Sequence, residues 1–310
     1  METRKRFLLV AVLVTVVLGL NPVLTLQPVM ASTISITSCN PTFTAGTTGA
    51  TYTVTANLAP AANASCIVVS VPGITVNLNK FTLTGAGTVP GTGIVIQAAA
   101  TGAHIVGGTI TGFTTGILDS ASSTLLEGLT VKANLGSGVT MRAGNGSVLA
   151  TSSITGNGGS GVYLLNTRDD IVNHNVAISG NGTAGPGYGV WIQNSASTTL
   201  SYDNVVAANT FGTGGPQLAA IWVGVSNNAP LTCGTTVAPS SANVIVGNQS
   251  INGDAAVGIG LECGSSTSNI VTDNSASGNV SFDLFDGNLS CDANSWLADV
   301  FGTANQTCVH

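Results

Sequence analysis

The chain has 310 residues, with 7 Lys plus Arg against 13 Asp plus Glu and a net charge of −6; only 6% of residues are charged, where about 25% is usual. So acidic a chain lacks the cations that neutralise phosphate, which excludes nucleic acid as a partner. A surface this poor in charge must be wetted by Thr, Ser, Asn and Gly, as suits an exported protein with a neutral, hydroxyl-rich face.

Arg4, Lys5 and Arg6 precede an apolar run from Phe7 to Leu20, and Val29-Met30-Ala31 places small residues where a signal peptidase reads. This pattern predicts a secretory signal peptide over residues 1–31, with an uncleaved N-terminal anchor as the alternative. No later apolar run reaches the ~18 residues of a spanning helix. The mature chain is therefore expected to be secreted, extracellular or periplasmic, with no membrane contact. Its remaining basic residues are Lys80, Lys132, Arg142 and Arg168.

Residues 32–310 read as one domain, with an N-terminal cap over about 32–70 and a C-terminal cap over about 286–310. A tetrad recurs along it: a small residue, an apolar one, any residue, an apolar one. It begins at Gly93, Gly116, Gly138, Gly161, Gly189, Ala220, Gly258 and Ser281, in steps of 23, 22, 23, 28, 31, 38 and 23. At Gly116-Ile117-Leu118-Asp119 the last position has drifted. Between tetrads stand short alternating stretches bounded by Asn and Gly, such as 175–181, 204–209, 248–252 and 274–279. No helical apolar period appears in the mature chain.

Fixed-period repetition of short strands is the signature of a solenoid. One coil cannot bury its Ile, Val and Leu, whereas stacked coils bury them in a continuous core. The expected fold is an all-β, right-handed parallel β-helix with coils of 22–23 residues, stacked about 4.8 Å apart. Asn at equivalent turns would then bond its neighbours above and below. The six cysteines, an even number in an exported chain, read as disulfides. Sequence neighbours are the expected pairs: Cys39 with Cys66, Cys233 with Cys263, and Cys291 with Cys308. No Cys-x-x-Cys pair suggests zinc.

The run Val71-Pro72-Gly73-Ile74-Thr75-Val76-Asn77-Leu78-Asn79 with Phe81-Thr82-Leu83-Thr84-Gly85 resembles the opening coils of bacterial right-handed β-helix repeat proteins, which share the pectate-lyase-like fold. Asp292-Ala293-Asn294-Ser295-Trp296 through Phe301-Gly302-Thr303-Ala304-Asn305-Gln306 resembles their capping segment. The resemblance covers nearly the whole mature chain and implies the fold. It implies no single activity, because the group spans pectate lyases, polygalacturonases, alginate epimerases, tailspikes and adhesins. The chain departs from the enzymes' patterns. It has Arg168-Asp169-Asp170 but neither Gly-His-Gly nor Arg-x-Lys, it lacks Asp-Pro-His, and no acidic triad surrounds Arg142 or Arg168.

The tetrad's middle residue should point outward between its inward neighbours. Down the coils that column reads Val95, Leu118, Thr140, Tyr163, Trp191, Trp222, Gly260 and Asp283. Tyr163, Trp191 and Trp222 would form an aromatic strip suited to the C–H faces of sugar rings, flanked by insertions at 183–188, 210–219 and 227–242. The alternative is that the insertions bury these rings. The next outward position holds Arg142, Leu165, Gln193, Gly224, Glu262 and Phe285, so Glu262 with Asp283 is a candidate acid–base pair for glycan cleavage and Arg142 a charge at the other end. A further column is read as Glu127, Thr151, His174, Asp203, Gly247 and Asp273, making His174 and Asp203 a candidate proton-transfer pair. Asp283, Asp286 and Asp292 are a candidate calcium site, against the simpler reading of solvated loop acids; otherwise no cofactor is expected. Together these features point to a protein that binds polysaccharide through its aromatic strip, with lyase or hydrolase chemistry as an extension. A non-catalytic structural or adhesive protein is the alternative.

Overall fold

The computed structural model describes residues 33–40, 48–86, 90–194, 201–213, 215–225, 240–262, 266–291 and 294–309. The expected signal peptide, Cys233, Cys263, Asp292 and most of the 227–242 insertion lie outside them.

Three-residue strands dominate, and most bury only the central side chain. That follows from the two-residue period of a strand: the apolar middle residue turns inward and its neighbours turn out. Among the described residues every pairing is parallel, from each strand to its equivalent one coil away. The result is a parallel β-solenoid with three faces. Among the described residues the long sheet has 11 strands, the tetrad sheet 9 and the short sheet 5. The long sheet's inward column runs Ile105, Leu126, Leu149, Val172, Val206 and Ile245, all 0% exposed. Each such side chain contributes about 1.5–3 kcal/mol by burial. The strand Thr33–Ile36, in the stretch expected as a cap, already pairs within the long sheet.

The tetrads form the second sheet, and its glycine column has a steric cause. A Cβ on Gly93, Gly116 or Gly189 would stand 2.5 Å from a carbonyl oxygen of the next coil. The coil repeat averages roughly 25 residues, a base period of 22–23 lengthened by insertions. The central coils keep a repeat of 23, from Ser152 to Asn175, while insertions stretch later ones to 34 and 39.

Three side-chain ladders hold the three corners. Between the long and short sheets, Asn175, Asn209, Asn248 and Asn274 follow one another; the backbone N–H and Nδ2 of each donate to Oδ1 of the next at 2.8–3.1 Å. Asn134, Asn157 and Asn181, continued by Gln217, Asp254 and Asn279, hold the corner before the tetrad sheet. Asp170, Asn204, Asn243, Asn269 and Asn294 hold the corner before the long sheet. The residue before most rungs has positive φ, such as Asp169, His174, Asp203 and Asp273. All three ladders end in an aspartate: Asp299, Asp283 and Asp286. The last rung must accept without a further acceptor to donate to, and an ionised carboxylate only accepts.

Disulfides join Cys39 to Cys66 and Cys291 to Cys308. The first ties the opening turns and the second holds the tail whose Thr303 and Asn305 bond the last tetrad strand.

Candidate functional site

The outward column of the tetrad sheet pairs in register from Val68 through Val95, Leu118, Thr140, Tyr163, Trp191, Trp222 and Gly260 to Phe285. The last step corrects the sequence reading. Phe285, not Asp283, stands above Gly260, so the final tetrad starts at Asp283 rather than Ser281. A tetrad whose small residue has become aspartate cannot be found by looking for small residues.

Exposure breaks sharply along this column. Val68, Val95, Leu118, Thr140, Tyr163 and Trp191 are partly exposed, whereas Trp222 is 0% and Phe285 5% exposed. Trp222 is thus not part of an open strip, and the alternative of burial holds for it. It packs with Tyr188, Ala219, Val257 and Phe285 in a satellite core. Tyr188 stacks on it at 5.9 Å and Phe285 at 6.4 Å. Its ring lies over Gly260, where a Cβ would come within 2.3 Å of it, which explains a glycine in this column. Tyr188 was missed in the sequence, although it directly precedes the tetrad that carries Trp191.

Tyr163 and Trp191 are the partly exposed aromatics of the column, although Trp191 also packs against the Trp222 core, its ring 5.1 Å from that of Tyr188. The rings of Tyr163 and Trp191 stack at 4.7 Å and 20° on adjacent coils. The Tyr163 hydroxyl donates to Gln193 Oε1, and burial pushes its pKa up to about 12, so it stays protonated. Trp191 Nε1 donates to the Gly224 carbonyl at 2.9 Å and Gln193 Nε2 to that of Val225 at 2.8 Å. Both rings are therefore held in place before any ligand arrives. Arg142 is exposed on the same sheet, one coil before Leu165, with Nε donating to Ser120.

The proposed acid–base pairs do not assemble. Glu262 is 1% exposed and accepts from the Val225 N–H. Asp283 is 1% exposed and accepts from the backbone and side chain of Asn279, from the Gly302 N–H and from Thr303. Burial alone would raise its pKa, but these hydrogen bonds outweigh it and hold the carboxyl below its ordinary value. His174 and Asp203 are not neighbours: the coil after His174 places Ala208 beside it, while Asp203 follows Asp169 on another corner. Both residues precede an Asn rung, and the sequence does not mark which ladder a rung belongs to. Glu127 leaves that column too, pairing with Val106 and Ala150 and bonding His104 at 2.9 Å. Asp169 and Arg168 are exposed, with Arg168 donating to the Tyr202 hydroxyl, while Asp170 is a buried rung.

Of the calcium candidates, Asp292 lies outside the described residues, and the other two carboxylates are engaged by protein donors. Asp286 accepts from the N–H and Nδ2 of Asn288, from Asn294 Nδ2 and from Trp296 Nε1. Asp283 is likewise bonded to protein donors, at Asn279, Gly302 and Thr303.

Parallel coils, corner ladders and an outward-facing sheet define the class as a β-solenoid. A family model described as right handed beta helix region matches residues 65–276, and the chain belongs to that family. Among solved structures it is similar to a mutant of the periplasmic alginate epimerase AlgG (11% identity, TM-score 0.53, covering 84% of this chain and 68% of that one). It is similar also to the Dettilon tailspike protein (14% identity, TM-score 0.51, 88% of this chain), of which it spans only 60%. The A-module of the Azotobacter vinelandii mannuronan C-5 epimerase AlgE6 aligns at 15% identity and TM-score 0.50, over 89% of this chain and 88% of that one. At such identities the likeness is one of fold. No curated protein sequence matches the chain.

Proposed function

We propose that this protein is an exported β-helix that binds polysaccharide on the open half of the tetrad sheet, around Tyr163 and Trp191, without cutting it. The observation that carries this reading is the stacked, partly exposed ring pair at 4.7 Å, anchored by hydrogen bonds on a rigid sheet. Rings already ordered lose little entropy when a ligand stacks on them. Solved structures with this fold include a tailspike and alginate epimerases, which agrees with a glycan partner. Two disulfides suit an oxidising compartment, periplasmic or extracellular. Binding is favoured over processing because Glu262, Asp283, Asp286, Asp170 and Asp254 all hold backbone or ladder donors in the structure's interior. No cofactor is needed for such binding.

The test is a polysaccharide pull-down with the wild type and Trp191→Ala. Loss of an aromatic stacking contact of about 1–1.5 kcal/mol should weaken binding roughly tenfold, with the fold retained by circular dichroism. Trp222→Ala is the control for core disruption and should instead lower the melting temperature. Folded wild type that captures no polysaccharide would leave the second reading, a structural or adhesive protein. That reading draws on the same rings, since their polar atoms are already satisfied within the protein.

A further inference from the structure

The outward column of the tetrad sheet is open at one end and closed at the other. From Val68 to Trp191 its residues are partly exposed, and from Trp222 onward all are buried. The change occurs between two paired neighbours, Trp191 and Trp222, so it falls within one coil. On the closed side Tyr188, Trp222 and Phe285 form a stacked block. The segment after Trp222 closes the other flank: the carbonyls of Gly224 and Val225 accept from Trp191 and Gln193, and Glu262 accepts from the Val225 N–H. A ligand lying over Tyr163 and Trp191 therefore has free sheet ahead of it in one direction only.

We infer that the strip receives the end of a polysaccharide chain, not its middle. This rests on the glycan-binding reading above. The chain lies along the solenoid axis, because the exposed positions succeed one another on adjacent coils, about 4.8 Å apart, close to the length of one sugar unit. Its terminal sugar lies against the exposed part of Trp191, whose ring also contacts Tyr163 and Tyr188, and abuts the Tyr188–Trp222 block. The following units pass over Tyr163, Thr140 and Leu118, where the face offers a hydroxyl and apolar surface, with Arg142 at its edge. A mid-chain ligand along this axis would have to continue through the volume of the aromatic block.

The experiment uses the full chain on two arrays of the same linear oligosaccharides, from glucan, xylan, mannan, chitin, alginate and pectate series. One array is coupled through the reducing end and the other through the non-reducing end. End recognition predicts binding to one array at least tenfold above the other, weakened roughly tenfold by Trp191→Ala with the fold retained by circular dichroism. Equal binding to the same oligosaccharide on both arrays overturns end recognition while leaving polysaccharide binding intact. No binding to either array, or binding that Trp191→Ala leaves unweakened, overturns both.

Discussion

Asp170 occupies a rung that the next coils fill with asparagine. Its Oδ1 accepts from the Ser147 N–H at 2.8 Å, and among the described residues its buried Oδ2 has no hydrogen-bond partner. Burial is the main cause that pushes its pKa up to about 7, with Asp119 and Asp169 adding repulsion. Because the folded value lies above the unfolded one of about 3.9, its stabilising contribution is complete below about pH 4 and is lost as pH rises through about 7. Asp119 and Asp299, raised by burial to about 6, act in the same direction. Asp170→Asn would place an amide where Asn204 Oδ1 can accept from it, as Asn243 accepts from Asn204 at 3.0 Å. The variant should be more stable than wild type at pH 8 by on the order of 1–3 kcal/mol, with a smaller gain at pH 5. Urea unfolding at the two pH values reads this, and a variant no more stable at pH 8 would contradict the account. Asp283 has the opposite sign: its depressed pKa contributes stability above the ordinary carboxylate range that is lost as pH falls through the folded value. Gly260→Ala, with its Cβ 2.3 Å from the Trp222 ring, should cost about 1–3 kcal/mol through overpacking, seen as a lower melting temperature.

At the level of elements, the corner ladders make each coil depend on the next. Asn209 accepts from both the N–H and Nδ2 of Asn175, and donates to the Val172 carbonyl at 2.9 Å and to Asn248 at 3.0 Å. Asn209→Ala strands buried groups on both sides and should cost about 2–4 kcal/mol. Asn209→Asp keeps the acceptor but sets a carboxylate against two acceptor oxygens, so its loss should be larger at pH 8 than at pH 4. Equal losses at the two pH values would show that the donated bonds carry no weight. The sequence announced these ladders through Asn at recurring positions. The positive φ of the preceding residue explains why Gly, Asp, Ala and His stand there without any chemical role in common. That is also why His174 and Asp203 read as a pair in the sequence and part company in space: an identical local turn is used at two different corners.

Over the whole molecule, the tail from Gly302 onward completes the last tetrad strand, with Thr303 bonding Asp283 and Asn305 bonding Asp286. The Cys291–Cys308 bridge, at a sequence separation of 17, holds that tail in place. Its removal by Cys291→Ser with Cys308→Ser should cost about 3 kcal/mol and should raise amide exchange first in 302–309 and the strand Phe282–Asp286. Exchange confined to the N-terminal coils would argue against this role. The β-helix itself was legible in the chain, because the two-residue strand period, the tetrad and the recurrent Asn are local patterns that admit one way of burying their apolar residues. The start of the last tetrad was not, since Asp283 replaces the small residue that defines it.

What the sequence by itself determined is the solenoid, its coil length in the regular stretch, the inward columns and the placing of Tyr163, Trp191 and Trp222 on one outward line. What only the tertiary structure decided is which of those rings meets solvent. Tyr188, one coil before Trp222, and Phe285, two coils after it, close over Trp222, and no local pattern records that encounter. The same holds for the carboxylates. Glu262, Asp283 and Asp286 looked like chemistry as isolated letters, but stacking aims backbone and amide donors at them, and a buried carboxylate surrounded by donors serves the fold.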